Sequence, residues 1–92
     1  MTDPIRLTLP IVNEKGLHAR ASAKFVEMVE RFDANAQVTR DGMTVSGDSI
    51  MGLLMLAAGR GSEIALAVSG ADARALADAL TELVAQRFGE DS

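Results

Sequence analysis

The sequence predicts an α+β fold, a two-layer open-faced β-sandwich in which a four-stranded antiparallel sheet carries its helices on one face. Three observations predict it. Four short segments alternate apolar and polar residues at period two, two longer ones repeat apolar residues at helical spacing, and one Asp-Gly pair marks a tight hairpin. Two amphipathic helices on one face of a sheet would bury both of their stripes, and this organises the order β-α-β-β-α-β-α into two layers. Residues 1–92 are expected to form one domain, without internal repeat, linker or low-complexity segment.

The first strand is Ile5-Arg6-Leu7-Thr8-Leu9-Pro10-Ile11, with Ile5, Leu7, Leu9 and Ile11 on its buried side. Pro10 has no N–H to give to a ladder, so this strand belongs at a sheet edge or near its own end. A turn at Asn13-Glu14-Lys15-Gly16 leads to His18. From Ala19 the period changes, and Ser22, Phe25, Val26, Val29 and Phe32 form the apolar stripe of a helix ending near Phe32 or Asp33. Glu27 and Arg31 make a favourable pair at i,i+4 on another side of it. Ala36 to Arg40 is the second strand, Asp41-Gly42 the hairpin turn and Met43 to Ser46 the third strand.

Asp48 and Ser49 supply capping oxygens to Ile50-Met51-Gly52-Leu53-Leu54-Met55-Leu56, a short and unusually apolar helix that Gly52 weakens. Leu53, Leu56 and Ala57 can face the core together. Ile50, Met51 and Leu54 are then left on a different side, where exposure is expected. Gly59-Arg60-Gly61 turns the chain into the fourth strand, Glu63 to Ser69, with Ile64, Leu66 and Val68 inward. Gly70-Ala71-Asp72 caps the last helix, whose stripe is Ala73, Leu76, Leu80, Leu83 and Val84, and Gly89 is placed to stop it.

Composition excludes several classes of function. The net charge of −4 opposes a general affinity for nucleic acid or anionic lipid, and three phenylalanines without tryptophan or tyrosine offer little for stacking on bases. No cysteine is present, which removes disulfides and thiol nucleophiles. A single histidine argues against an all-protein metal site, and no bound cofactor is implied. The start Met1-Thr2-Asp3-Pro4 lacks the pattern of a signal peptide, and no apolar run approaches the roughly 20 residues of a membrane span. A cytoplasmic protein is expected. A Ser-His-Asp hydrolase is disfavoured, because no nucleophile elbow accompanies the lone histidine.

That histidine, His18, sits where a strand gives way to a helix. Helix starts carry N–H groups without intrahelical acceptors and favour negative charge. Arg20 adds a guanidinium suited to phosphate oxygens, and neutral imidazole is a competent nucleophile. Together they point to a histidine that accepts a phosphoryl group, set against one that merely caps or packs.

Two separated stretches resemble the histidine-containing phosphocarrier family, HPr, of the bacterial phosphotransferase system. One is Gly16-Leu17-His18-Ala19-Arg20; the other is Ser49-Ile50-Met51-Gly52-Leu53-Leu54-Met55-Leu56 with the turn Gly59-Arg60-Gly61-Ser62-Glu63-Ile64. Element order and motif spacing agree over essentially the whole chain. The resemblance implies strand order 1-4-2-3, phosphorylation of His18 on Nδ1, a steadying role for Arg20, and a stoichiometric carrier in place of an enzyme. Phosphorylated enzyme I would be the donor and enzyme IIA components, of a sugar or a nitrogen-related branch, the acceptors; a monomer is expected. Ser49 matches a serine phosphorylated by a dedicated HPr kinase in many members. Two departures stand out: Ala21 replaces the usual proline after the arginine, and Asp48 replaces a basic residue often found before the serine.

Each of these residues also has a plainer role. Ser49 is a good N-cap, and Ile50, Met51 and Leu54 could be core. On the functional reading they form a docking patch beside His18, ringed by Lys15, Arg20 and Lys24 and suited to acidic partners. A different class of function is a binding module that regulates a partner through phosphorylation at Ser49, without relaying phosphate.

Overall fold

A computed structural model describes residues 3–92; Met1 and Thr2, part of the start read for a leader, lie outside the described residues. The strands are β1 (Ile5–Pro10), β2 (Asn35–Arg40), β3 (Met43–Ser46) and β4 (Glu63–Ser69). The helices are α1 (Ala19–Glu30), α2 (Ile50–Met55) and α3 (Ala73–Ala85), followed by a short 3-10 turn at Arg87–Gly89.

Every strand pairing is antiparallel, in the order β1-β4-β2-β3. Leu7 pairs with Leu66, Leu66 with Val38 and Val38 with Val45, so one apolar row crosses all four strands. β1 is an edge strand and ends at Pro10, so both placements that Pro10 allows are met, and Ile11 lies just past its end yet is buried. Phe25, Val26 and Val29 of α1 and Leu76, Leu80 and Val84 of α3 close the core over the sheet. The hairpin turn places both Asp41 (φ 50°) and Gly42 (φ 81°) in the left-handed region, the geometry that matches the twist of the strands it joins.

Several local expectations are corrected. α1 ends at Glu30, and Phe32 follows as a half-buried residue outside the helix. Ala57 is exposed at φ 51°, because the chain reverses there after α2, and Ala58 takes the core position instead. Asp48 does not cap α2: its carboxylate accepts from Ser46 Oγ at 2.6 Å. Asp72 caps no N–H of α3 and instead accepts from Asp33 N at 2.8 Å, which ties the connection between α1 and β2 to the start of the last helix.

Gly52 has a positive use beyond weakening α2. A Cβ there would meet Val45 Cβ at 3.0 Å and Ser49 Oγ at 3.2 Å, so glycine lets the helix pass close over β3. The largest departure is at the C-terminus. α3 stops at Ala85, well before Gly89, and Arg87 and Phe88 both adopt left-handed backbone at φ 58° and 55°. That reversal turns the fully buried Phe88 into the core. The tail then returns toward the start of α1.

Candidate functional site

The site is built on the connection from β1 to α1. Asn13 is fully buried there, and its Nδ2 donates to Gly16 O at 2.8 Å while Gly16 N donates back to Asn13 O at 3.1 Å. Gly16 adopts φ +67°, and a Cβ on it would fall 2.5 Å from Ala58 O. Only glycine fits between the two loops. Leu17 is buried next to it, with its N–H donating to Ala58 O at 2.8 Å, and the buried Ser22 donates its hydroxyl to Leu17 O at 3.1 Å.

These bonds bring His18 to the N-cap of α1 with an extended backbone (φ −75°, ψ −178°). The first intrahelical bond runs from Ser22 N to His18 O at 2.8 Å, so the N–H groups of Ala19, Arg20 and Ala21 precede the helical ladder. His18 caps nothing with its side chain. Its half-buried ring instead directs Nε2 to a carboxylate oxygen of Glu90 from the tail. The other oxygen of Glu90 accepts from Asn13 Nδ2 at 2.9 Å.

The Asn13 hydrogen bond is the main influence holding the Glu90 carboxyl below its ordinary value of 4.5, with further help from the hydrogen bond and charge of His18 and from Lys15, against the opposing effect of burial. Glu90 is therefore an anion near neutral pH. Since a carboxylate only accepts, a neutral imidazole in this contact carries its proton on Nε2 and leaves a lone pair on Nδ1.

A cleft of about 580 Å³ opens beside the ring, lined by Lys15, His18, Arg20, Lys24, Glu90 and Asp91 among others. Lys15, Arg20 and Lys24 share this cleft with the acidic Glu90 and Asp91, beside the N-terminal end of α1. Arg20 is exposed and makes no ion pair among the described residues. Lys24 does not stand free for a partner as expected, because its ammonium donates to Phe88 O at 2.6 Å and holds the tail.

The second predicted group lies on α2, outside this cleft, on a helix that packs against α1. Ser49 caps α2, its Oγ accepting from Gly52 N at 3.0 Å. Ile50 and Met51 are exposed, at 40% and 69%. Leu54 is a correction: it is half-buried, and Met55 at 64% takes the exposed place, since it follows Met51 by four residues on the outer side of the helix.

Sequence reasoning missed Glu90 and the full role of Asn13. Phe88 had a signal, for Leu76, Leu80, Val84 and Phe88 continue one spacing of four residues beyond the helix end. Glu90 had none, because its meeting with His18 depends on the reversal at Arg87 and Phe88. Among the described residues there is no cluster of three or more potential metal ligands and no helix long and apolar enough to cross a membrane.

Known proteins share this sequence pattern and this fold. Residues 5–86 match a family described as the phosphotransferase system HPr component phosphorylation site. The phosphocarrier protein HPr of Cupriavidus necator is 48% identical over 80 residues, covering 87% of this chain and 90% of that protein. HPr of Neisseria meningitidis is 44% identical over 86 residues, covering 94% and 97%. The crystal structure of an HPr from Thermoanaerobacter tengcongensis superposes with a TM-score of 0.90 at 34% identity, over 96% of this chain and 99% of that one. This chain accordingly belongs to the HPr family, the phosphocarrier proteins of the phosphotransferase system, which are carriers and not enzymes.

Proposed function

We propose that this protein accepts a phosphoryl group on His18 from phosphorylated enzyme I in the cytoplasm and hands it to an enzyme IIA component of a sugar or nitrogen-related branch. The observation that carries the proposal is the ring of His18 at the start of α1, with Nε2 engaged by Glu90, Nδ1 without a hydrogen-bond partner among the described residues, and Arg20 lining the cleft beside the ring. Phosphoryl transfer requires little covalent work from its surroundings and much positioning and charge neutralisation. Arg20 and the first-turn N–H groups supply the neutralisation on this side, and the partner enzymes supply the rest.

Residues 1–92 act as one carrier domain and as a monomer in this reading. Ile50 and Met51 form the apolar part of the partner surface, with Leu54 at its margin and Met55 added to it. Ser49, at the entrance to α2, is where a kinase would add charge to the same surface, and the helix N-terminus there accommodates an anion.

The test is incubation of the protein with phosphoenolpyruvate and enzyme I, followed by mass measurement of wild type, His18→Ala and Ser49→Ala. One acid-labile phosphoryl adduct is expected on wild type and on Ser49→Ala, and none on His18→Ala. An adduct that survives His18→Ala overturns the proposal.

A further inference from the structure

The contact that closes the site comes from outside the span the family match covers. That match ends at residue 86, whereas Glu90 belongs to the tail beyond α3. The tail has three separate anchors. Phe88 is fully buried, Lys24 Nζ donates to its carbonyl at 2.6 Å, and Ser92 Oγ donates to Glu14 at 3.0 Å. Asn13, which grips one carboxylate oxygen of Glu90, is itself fully buried and fixed by its bond to Gly16 O. The second oxygen is thereby aimed at His18 Nε2 by a buried polar frame, not by a chance meeting of two surface side chains.

We infer that Glu90 is a positioning residue for phosphoryl transfer: its carboxylate accepts the Nε2–H of His18, leaves the Nδ1 lone pair free for the incoming phosphoryl group, and keeps the proton on the ring while Nδ1 carries phosphate. This inference rests on the carrier reading given above. As phosphate arrives, the Nδ1 lone pair forms the bond to phosphorus while the bond from phosphorus to the donor's leaving atom breaks, its electron pair departing with the donor. Nε2 retains its proton throughout, so the ring becomes cationic and the adjacent carboxylate balances it. On discharge the N–P bond breaks, its pair returns to Nδ1, and the ring is neutral again with its proton still on Nε2. A protonated ring leaves more readily than one that has lost its proton, and Glu90 is the group that keeps it protonated.

The experiment uses the full chain as wild type, Glu90→Ala and Glu90→Gln, with enzyme I as donor and an enzyme IIA as acceptor. Nitrogen-15 NMR of the His18 ring should place the proton of the neutral wild-type ring on Nε2, with a ring N–H signal protected from solvent exchange. Glu90→Ala should lose that protection, and Glu90→Gln, which keeps an acceptor without the charge, should fall between. Discharge of phosphate from His18 should slow about tenfold in Glu90→Ala, the scale of one charge-assisted hydrogen bond, and less in Glu90→Gln. A role confined to stability would lower the unfolding midpoint and leave the ring signal and the discharge rate alone, and that result overturns the inference. So does a wild type that transfers phosphate normally with its ring proton on Nδ1. A wild type that takes no phosphate from enzyme I at all removes the carrier reading itself, and the two failures are thereby told apart.

Discussion

Two neighbouring regions of this protein are assembled in opposite ways. The His18 cleft is drawn from both ends of the chain and held by directional bonds: Asn13 to Gly16 and Glu90, His18 to Glu90, Lys24 to Phe88. The α2 face is a six-residue helix whose Ile50, Met51 and Met55 project outward and owe their arrangement to helical geometry alone. The difference suits the two tasks proposed. A reacting nitrogen must be aimed, and aiming needs a frame of fixed partners. A surface that meets several proteins in turn is better served by adaptable methionines than by fixed bonds.

The contrast predicts that damage to the frame is felt in the fold, whereas damage to the patch is felt only in partner encounters. Phe88→Ala should produce the largest effect on stability, a loss of about 3–5 kcal/mol from a buried aromatic side chain, seen as a lower midpoint in denaturant unfolding, with slower phosphoryl transfer as the tail comes away. A variant as stable as wild type would mean that the tail is not part of the frame.

Met51→Glu should leave unfolding unchanged, since the side chain is mostly in solvent, and should weaken transfer from enzyme I about tenfold, read as a rise in KM. Unchanged transfer kinetics would remove Met51 from the docking surface. Ser49→Ala lies between the two regions, for it removes a cap without touching the exposed face. About 1 kcal/mol of stability should be lost, with transfer from enzyme I near the wild-type rate.

Acid sharpens the comparison most gently. Because the Glu90 carboxyl is held below 4.5 in the folded chain, its ionised form favours folding; that contribution is complete above 4.5 and is lost as pH falls through the lowered value. The slope of stability against pH below 4.5 should therefore flatten in Glu90→Gln, measured by urea unfolding at a series of pH values. Equal slopes in the two proteins would show that the carboxylate gains nothing from Asn13 and His18.

The two regions were also unequally legible in the sequence. The strands and two long helices announced themselves by period, and Asp41-Gly42 and Pro10 fixed a hairpin and an edge, because each of these depends on neighbours in sequence. The place of His18 at the start of α1 could be read for the same reason. On α2 the exposed side was read correctly at Ile50 and Met51 but not at Leu54, which is half-buried while Met55, left unassigned, is exposed, since a helix of six residues is too short for its apolar stripe to be resolved. The tail was out of reach. Gly89 looked like the helix stop, but the chain reversed earlier, at Arg87 and Phe88, where burial of an aromatic ring outweighs the cost of left-handed backbone at two ordinary residues. Everything that depends on that reversal, Glu90 above all, is a tertiary fact.

Ala21 joins the two kinds of information. It is fully buried in the first turn of α1 and keeps an N–H that proline would remove. Replacing it with proline should alter the rate at which phosphate leaves His18, and identical rates would show that this N–H is not among the groups holding the phosphate.

The most direct test of the whole account is to identify which ring nitrogen of His18 carries the phosphoryl group, by phosphorus-31 and nitrogen-15 NMR of the protein phosphorylated by enzyme I. With Nε2 committed to Glu90, phosphate is predicted on Nδ1. Phosphate on Nε2 would require the Glu90 contact to break before the reaction and would contradict the account.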